Sequence, residues 1–458
     1  MLADYRHVYF LGIGGIGMSA LATYLAKQNI SISGYDRDRT ELTKKLEAMG
    51  MNIHYTVDIK SIPDDIDMAI YTPAIPNDQQ ERVFLESKGI TLLKRSECLE
   101  RVLLSNHVIA VAGTHGKTST SAILAHLLKE SDFSATAFVG GILKNYRSNY
   151  IEGEPRRFIV EADEYDRSFL RLFPNLAIIQ AMDADHLDIY GDVNEMHLAY
   201  RQFTSQIQEG GHLVIFGEVA RQFMDAEWKQ MLSSKKITVT TFGFNDVDDI
   251  KIRITKEENG FSQFDVEIEK STIRCTLSVP GKHNVLNATA AIGAAYLEGL
   301  SVERIEERIK SFEGIERRFD MVYQSDDLVI IDDYAHHPSE IDAVIQTVRD
   351  HYPGKHLTVL FQPHTYTRTR DFMKEFAQSL GKADRIGLLD IYAAREEPIV
   401  NVNSERLLSL IDRREKFLMN EHDVENYLNK KDIEVLLILG AGDIYKMIPR
   451  IQTHLILD

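Results

Sequence analysis

The chain has 458 residues, which at roughly 150 residues per domain predicts about three domains. It carries 52 Lys and Arg against 69 Asp and Glu, a formal net charge of −17, so its overall charge does not favour binding to nucleic acid or to an anionic membrane. Two cysteines are too few for a disulfide framework and indicate a reducing, cytoplasmic location. The N-terminal residues lack the pattern of a signal peptide, and no stretch approaches the roughly 20 apolar residues of a membrane span.

The first part of the chain alternates short apolar runs with helical patterns. Apolar runs at 8–11 and 30–36 flank a helical pattern at 18–27, which predicts a βαβ unit, and further runs continue the alternation to about residue 97. The loop at 12–17 reads GIGGIG, and Asp36 ends the next run. Backbone N–H groups of such a loop can bind a diphosphate at a helix N-terminus. The motif favours a dinucleotide site, and an acid like Asp36 suits a ribose or a base edge equally.

A second glycine turn opens the next series of strands. The sequence AGTHGKT at 112–118 follows an apolar run and leads into a helical pattern. Lysine beside a hydroxyl at a helix start is typical of triphosphate sites, where Lys117 would neutralise the β- and γ-phosphates and Thr118 would bind Mg²⁺. Val111 stands where the strict Walker pattern has glycine, so this is a shortened variant.

Acidic residues follow neighbouring apolar runs. Glu161 ends the run at 158–162 and is the best candidate metal ligand, since a magnesium nucleotide needs an acid at the end of an adjacent strand. The segment DADHLD at 183–188 follows the run at 176–180, and its His186 is a candidate for a second metal or for contact with the transferred phosphoryl group.

The rest of the chain predicts two further blocks. Short alternating segments between 237 and 280 predict antiparallel strands on the second sheet, and helical patterns follow at 284–298 and 302–312. A third α/β series starts at 328–331. We therefore predict an α/β fold of three domains: 1–97, Rossmann-like; 98–313, P-loop ATPase-like, with a mostly parallel sheet and added antiparallel strands; and 314–458, Rossmann-like.

Three polar clusters mark the third predicted domain. They read GIERRF at 314–319, DDYAHHP at 332–338 and FQPHTYTRTR at 361–370, and the last two directly follow predicted strands. Open α/β sheets keep their sites at the carboxyl ends of strands. Three such clusters in one domain favour a site over surface turns.

Taken together, these motifs resemble those of the Mur ligases. The quoted segments are LGIGGIGMSALA, AGTHGKTSTSA, VEADEYDRSFL, DADHLDIYGD, PGKHNVLNATAA, GIERRFD, DDYAHHPSEI and FQPHTYTRTRDF. They occur in family order from residue 10 to about 398. The His of GTHGKT resembles the residue found there in the muramate-directed branches of the family. The segment QPHTYTRTRDF resembles the branch that adds L-alanine.

The resemblance implies a ligase that consumes ATP to join the lactyl carboxylate of UDP-N-acetylmuramate to the amine of L-alanine, through an acyl phosphate, in cytoplasmic peptidoglycan synthesis. It implies ATP and Mg²⁺ or Mn²⁺ as cofactors and these two substrates as partners, with no nucleic acid or membrane. We expect a monomer or a homodimer. Other branches use a carbamylated lysine at the second metal, but residues 191–208 contain no lysine.

The resemblance also assigns residues. UDP-sugar binding falls to Gly12, Gly14, Gly15, Ile16, Gly17 and Asp36. ATP binding falls to Gly113, Thr114, His115, Gly116, Lys117, Thr118, Ser119, His283, Asn284, Asn287, Arg318 and Asp333. The metal ligands are Thr118, Glu161 and His186, and the amino-acid side comprises Tyr334, His336, His364 and Arg368. The catalytic set is Lys117, His186, Arg318, Asp333 and His336.

Three alternatives remain open at this point. A recycling ligase of the same family would attach a tripeptide to the same UDP-sugar. An NAD(P)-dependent dehydrogenase would explain the first glycine loop but not GTHGKT, Glu161 or the third domain. A P-loop motor or switch protein would explain only the middle domain.

Overall fold

The computed structural model describes residues 5–183, 187–258, 260–422, 424–429 and 432–457. Its contacts divide the chain into two compact units. Unit 1 comprises Met1–Arg253, Val266–Ile273 and Leu286–Ser311, and unit 2 comprises Ile254–Asp265, Arg274–Val285 and Phe312–Asp458. Within the described ranges, no helix is long and apolar enough to cross a membrane.

The first sheet of unit 1 has five parallel strands in the order β3-β2-β1-β4-β5. Its elements are β1 (His7–Leu11), α1 (Ile16–Lys27), β2 (Ser31–Tyr35), α2 (Glu41–Ala48), β3 (Asn52–His54), β4 (Met68–Tyr71), α3 (Gln80–Ser87), β5 (Thr91–Lys94) and α4 (Arg95–Leu103). Alternate residues of β1 belong to separate cores, Val8 and Phe10 to one and Tyr9 and Leu11 to the other. Because β1 lies between β2 and β4, the first glycine loop emerges where the strand order reverses, the usual place for a ligand crevice.

The second sheet has ten strands in the order β15-β14-β13-β12-β11-β10-β6-β9-β7-β8. Its first elements are β6 (His107–Ala112), α5 (Lys117–Leu128), β7 (Ala135–Leu143), β8 (Ser148–Ile151), β9 (Glu154–Ala162), β10 (Leu176–Ile179), α6 (Leu187–Tyr190), α7 (Val193–Ser205) and β11 (His212–Phe216). The later elements are α8 (Gly217–Phe223), α9 (Ala226–Ser234), β12 (Thr238–Gly243), β13 (Ile250–Glu258), β14 (Phe261–Ile268), β15 (Ser271–Leu277), α10 (Lys282–Leu297) and α11 (Val302–Lys310). The P-loop follows β6, whose neighbours β10 and β9 run parallel to it.

The sequence did not predict β7 and β8. They form an antiparallel pair at the edge of this sheet, and β7 also runs parallel to β9. Strand β7 reads ATAFVGGIL, in which alanine and two adjacent glycines give weak strand propensity and no alternation. Tertiary pairing overrides that local signal, and it places Gly140 against the end of β9.

The sheet of unit 2 has six strands in the order β16-β17-β21-β18-β19-β20, parallel except for β16. Its elements are β16 (Asp320–Gln324), β17 (Val329–Asp333), α12 (Pro338–His351), β18 (Leu357–Phe361), α13 (Tyr366–Asp371), α14 (Met373–Leu380), β19 (Arg385–Leu388), α15 (Ser404–Leu410), β20 (Glu415–Leu418), β21 (Val435–Leu439) and α16 (Ile448–Leu457). The carboxyl ends of β17 and β18 flank β21, which brings two of the predicted polar clusters to one edge. The predicted α/β class with mostly parallel sheets is confirmed.

Candidate active site

The first glycine loop is shaped by its own backbone. Gly12 has φ +83°, and its N–H donates to the Tyr35 carbonyl at 2.8 Å. A Cβ at Gly12 would lie 2.6 Å from Thr72 Cγ2, so only glycine fits. Gly15 caps α1 without a side-chain hydrogen bond. A helix N-terminus without a side-chain cap is suited to bind an anion.

Asp36, which directly follows β2, contacts this loop. Its Oδ2 accepts the Gly14 N–H at 2.7 Å and its Oδ1 accepts the Asp38 N–H at 3.1 Å. One loop amide is thereby committed to a carboxylate of the protein. The structure brings the predicted UDP-sugar residues together and gives Asp36 a part in holding the loop.

Arg95 is a cation that the sequence reasoning missed. It begins α4, and a Cβ on Gly17 would lie 2.9 Å from its Nη1. Among the described residues, the Arg95 side chain has no salt-bridge or hydrogen-bond partner. The positive group beside the glycine loop thus comes from a residue 78 positions after Gly17, and no local motif signals it.

The second glycine loop is tightly packed. Gly113 has φ +135° and Gly116 φ +82°. A Cβ at Gly116 would lie 2.3 Å from Asn287 Oδ1, which places a predicted ATP residue of α10 directly against the loop. The Thr114 hydroxyl accepts the Asp183 N–H at 3.1 Å, and His115 Nε2 lies 3.5 Å from Asp183 Oδ2. Ser119, half-buried, follows in the first turn of α5.

Lys117 is bound on three sides within unit 1. Its Nζ donates to Glu164 Oε1 at 2.9 Å, to Glu164 Oε2 at 2.7 Å and to the Gly113 carbonyl at 2.7 Å. Burial opposes the charged form, but the carboxylates of Glu164, Asp163 and Glu161 outweigh it and raise the pKa of Lys117. Lys117 is therefore an ammonium at neutral pH.

The Glu161 carboxylate accepts hydrogen bonds from two hydroxyls of α5. Thr118 Oγ1 donates to its Oε2 at 3.1 Å, while Ser121 Oγ at 3.1 Å and the Gly140 N–H at 2.5 Å donate to its Oε1. Ser121 and Gly140 were missed. Ser121 lies one helical turn after Thr118, a spacing that places both hydroxyls on one face of the helix and could have signalled it.

Oxygen atoms of this kind fit a magnesium ion. Mg²⁺ prefers a few carboxylate and hydroxyl oxygens together with substrate phosphates, and Thr118 and Glu161 already lie within hydrogen-bond distance of each other. The described residues contain no cluster of three or more His, Cys, Asp or Glu that could hold a metal. The third predicted ligand, His186, lies outside the described residues.

Two predicted ATP residues close in sequence to Asn287, His283 and Asn284, lie in unit 2. Asn284 is buried and its Nδ2 donates to the Pro280 carbonyl at 2.7 Å, within the turn that starts α10. Burial, aided by Arg318 and opposed by Glu340, lowers the pKa of His283 to about 4. His283 is therefore neutral at pH 7.

Asp333 and Arg318 lie together in unit 2. Asp333 is buried and accepts the Phe319 N–H at 2.6 Å and the Ala335 N–H at 2.7 Å. Burial raises its pKa to about 6, against the lowering effect of Arg318 and of these two bonds. The Arg318 guanidinium lies over the Tyr334 ring at 5.0 Å. The buried carboxylate thus fixes the backbone that presents the arginine.

The predicted amino-acid side is a row of rings in contact with one another. The His336 ring lies 5.3 Å from Tyr334 and 5.9 Å from His364, which in turn stacks on Tyr392 at 5.6 Å. Burial lowers the pKa of His336 to about 4 and that of His364 to about 3, and Arg368 adds to both effects. The structure therefore places neutral imidazoles beside the Arg368 cation.

Glu340 organises this cluster and was also missed. Its Oε2 accepts the backbone N–H of His336 at 3.0 Å and that of His337 at 3.2 Å. The same oxygen lies 3.4 Å from the ring Nδ1 of His336. His337 and Glu340 form the capping box of α12, and Pro338 is the first residue of that helix. Proline at the first helical position and an acid two residues later are a start signal that the sequence displays.

Comparisons with known proteins cover this arrangement from end to end. Sequence profiles match residues 7–107 as "Mur ligase family, catalytic domain", 111–295 as "Mur ligase middle domain" and 317–443 as "Mur ligase, glutamate ligase domain". A UDP-N-acetylmuramate–L-alanine ligase from Christiangramia forsetii is 42% identical over 99% of both chains. The chain belongs to the Mur ligase family.

Solved structures place this Mur ligase among similar folds. A UDP-N-acetylmuramate–alanine ligase from Thermotoga maritima superposes with a TM-score of 0.80 at 28% identity, over 98% of this chain and 99% of that one. A murein peptide ligase from Psychrobacter arcticus gives a TM-score of 0.74 at 22% identity over 98% of each chain, a likeness of fold. The family accounts for all three sheets, which neither the dehydrogenase nor the motor alternative does.

Proposed function

We propose that this Mur ligase joins L-alanine to the lactyl carboxylate of UDP-N-acetylmuramate, converting ATP to ADP and phosphate, in peptidoglycan synthesis for the cell wall. The observation that carries the proposal is the full-length identity of 42% to a relative named for that reaction. The P-loop, the glycine loop and the ring cluster of unit 2 supply sites of the three kinds that the reaction requires.

The proposed division of labour follows the three sheets. Residues 1–97 bind the UDP-sugar, residues 98–313 bind ATP, and residues 314–458 bind the amino acid. The amides of Ile16 and Gly17, with Arg95 beside them, face the diphosphate. The N–H groups of Gly12, Gly14 and Gly15 donate within the protein and shape the loop around it.

The first chemical step activates a poor electrophile. A lactyl carboxylate oxygen attacks the γ-phosphorus of ATP, ADP leaves, and the product is an acyl phosphate. Lys117 and the N–H groups of the loop at 113–118 stabilise charge on the phosphate oxygens. Thr118, Glu161 and His186 would hold Mg²⁺ or Mn²⁺, which neutralises phosphate charge when bound. His115, Ser119 and Asn287 of unit 1 complete the nucleotide side of the P-loop. The family resemblance also assigns His283, Asn284, Arg318 and Asp333 of unit 2 to nucleotide binding.

The second step forms the amide. The alanine amine attacks the acyl carbon and phosphate departs. Arg368 pairs with the alanine carboxylate, and the rings of Tyr334, His336 and His364 shape its pocket. His336 Nδ1 lies 3.0 Å from the Tyr334 carbonyl, so the neutral ring carries its proton there and its Nε2 can accept a proton from the amine.

We propose a cytoplasmic location, in line with two cysteines that are both free and buried. Monomer and homodimer are both compatible with the arrangement, because every group assigned above comes from one chain. Neither nucleic acid nor a membrane takes part in the proposed reaction.

The test is ATP-dependent phosphate release with UDP-N-acetylmuramate and a panel of acceptors: L-alanine, glycine, L-serine and the murein tripeptide. We expect release with L-alanine and little with the tripeptide, and mass spectrometry should find UDP-N-acetylmuramoyl-L-alanine. Release with the tripeptide alone would make the chain a recycling ligase. Equal ATP hydrolysis without any UDP-sugar would contradict both readings.

A further inference from the structure

Glu164 is a buried acid that the proposed chemistry leaves without a role. Its side chain is 1% exposed, and both of its oxygens accept from Lys117. An ammonium has three donors. Two of those of Lys117 point to Glu164 and the third to the Gly113 carbonyl, so this lysine has no donor left. A phosphate oxygen can bond to Lys117 only by displacing one of these partners.

Glu164 stands at the start of a turn with two strained residues. The Tyr190 hydroxyl donates to the Glu164 carbonyl at 2.6 Å. The two residues Asp166 and Arg167 both adopt left-handed backbone, each with φ +54°, which costs about 1 kcal/mol or more per residue. Their side chains are held, Asp166 by Lys94 at 3.2 Å and Arg167 over the Tyr190 ring at 5.1 Å. Such strain persists only where the surroundings fix it, and Glu164, at the start of this turn, is itself held by the Tyr190 hydroxyl.

We infer that Glu164 is a positioning residue that competes with nucleotide phosphates for Lys117. ATP binding then exchanges the lysine from carboxylate to phosphate, and a buried carboxylate without its cation pulls the lysine back when the phosphates leave. This inference rests on the proposed function, since it requires a nucleotide at the P-loop. In this role Glu164 lowers the affinity for a triphosphate and keeps the Lys117 side chain ordered when no nucleotide is bound.

The experiment is calorimetric titration of the full-length protein with a non-hydrolysable ATP analogue and Mg²⁺, in the absence of UDP-sugar and alanine. In Glu164→Gln the shape is kept and the charge removed, so we expect the Kd of the analogue to fall by roughly tenfold, the scale of one charge-assisted hydrogen bond. AMP, which lacks the β- and γ-phosphates, should bind equally to both proteins. The matched control is Glu195→Gln, an exposed acid on α7, which should leave both affinities unchanged.

A double-mutant cycle separates this role from a structural one. In a Lys117→Ala background, Glu164→Gln should no longer change affinity for the analogue, because its effect passes through the lysine. Unchanged or weaker binding in the single variant would overturn the inference, as would the same gain in the Lys117→Ala background.

A second variant covers a failure of Glu164→Gln to fold, which thermal unfolding would reveal. Tyr190→Phe removes the hydrogen bond to the Glu164 carbonyl and should tighten analogue binding by about twofold to threefold; no change there would also count against the inference. If the wild-type protein forms the alanyl product and Glu164→Gln does not change the affinity for the analogue, only the role of Glu164 is refuted. Wild-type protein that binds no analogue refutes the proposed function itself.

Discussion

The two glycine loops of unit 1 share a backbone plan and differ in their side chains. Each joins the carboxyl end of a parallel strand to the start of a helix, β1 to α1 and β6 to α5. The first loop has no charged side chain of its own. Arg95 of α4 lies beside it, and the Asp36 carboxylate accepts one of its amide N–H groups. The second carries Lys117 and Thr118, with Glu161 alongside. Backbone geometry makes an anion site, and the side chains set how much negative charge it suits.

The largest expected effect lies at the second loop. Lys117→Ala removes the only side-chain cation of that loop, so turnover should fall by roughly 10³-fold or more. Binding of UDP-N-acetylmuramate should persist, because that ligand uses the first loop. Phosphate release measures the first quantity and calorimetry the second. Loss of UDP-sugar binding would mean that the two loops do not act on separate ligands.

Backbone fit should distinguish the loops next. Gly116→Ala puts a Cβ 2.3 Å from Asn287 Oδ1 at φ +82°, and we expect it to lower the free energy of unfolding by about 1–3 kcal/mol and to weaken nucleotide binding. Gly15→Ala is the matched substitution in the first loop, where φ is −61° and the nearest atom lies 3.5 Å away. In thermal unfolding, the stability of Gly15→Ala should be close to that of the wild type. Equal destabilisation of both would show that the loops tolerate side chains alike.

The contribution of Arg95 tests whether the first loop borrows its cation. Arg95→Ala should weaken UDP-N-acetylmuramate binding by roughly tenfold to a hundredfold, the scale of hydrogen bonds to a charged group, and leave the ATP analogue unaffected. Arg101→Ala, an exposed arginine on the same helix, is the control. If both variants bind the UDP-sugar like wild type, the amides of the loop are sufficient.

Local signals predicted the loops, and non-local packing supplied the rest. The strands before Gly12 and Gly113 and the helices after them follow from periodicity and motif, both of which lie within a short stretch of chain. Arg95 and Gly140 reach their loops through sheet order, which no spacing in the sequence encodes. Glu164 lies in the motif VEADEYD, yet its pairing with Lys117 joins residues 47 positions apart, which no local signal encodes. Sequence thus predicted two phosphate sites, and the structure shows which distant residues pack against the two loops.

The smallest expected effect concerns Asp36, and it decides what the acid after β2 does. Its carboxylate accepts the Gly14 N–H at 2.7 Å, a bond that the Asn carbonyl can also make. If Asp36 mainly holds the loop, Asp36→Asn should change UDP-N-acetylmuramate affinity by less than about threefold. Asp36→Ala should weaken the binding free energy of the same ligand by about 1 kcal/mol, because the hydrogen bond is lost. Calorimetry on both variants measures the difference. A tenfold loss in Asp36→Asn would instead show that the charge itself contacts the ligand, and the first loop would then recognise its nucleotide as well as hold its phosphates.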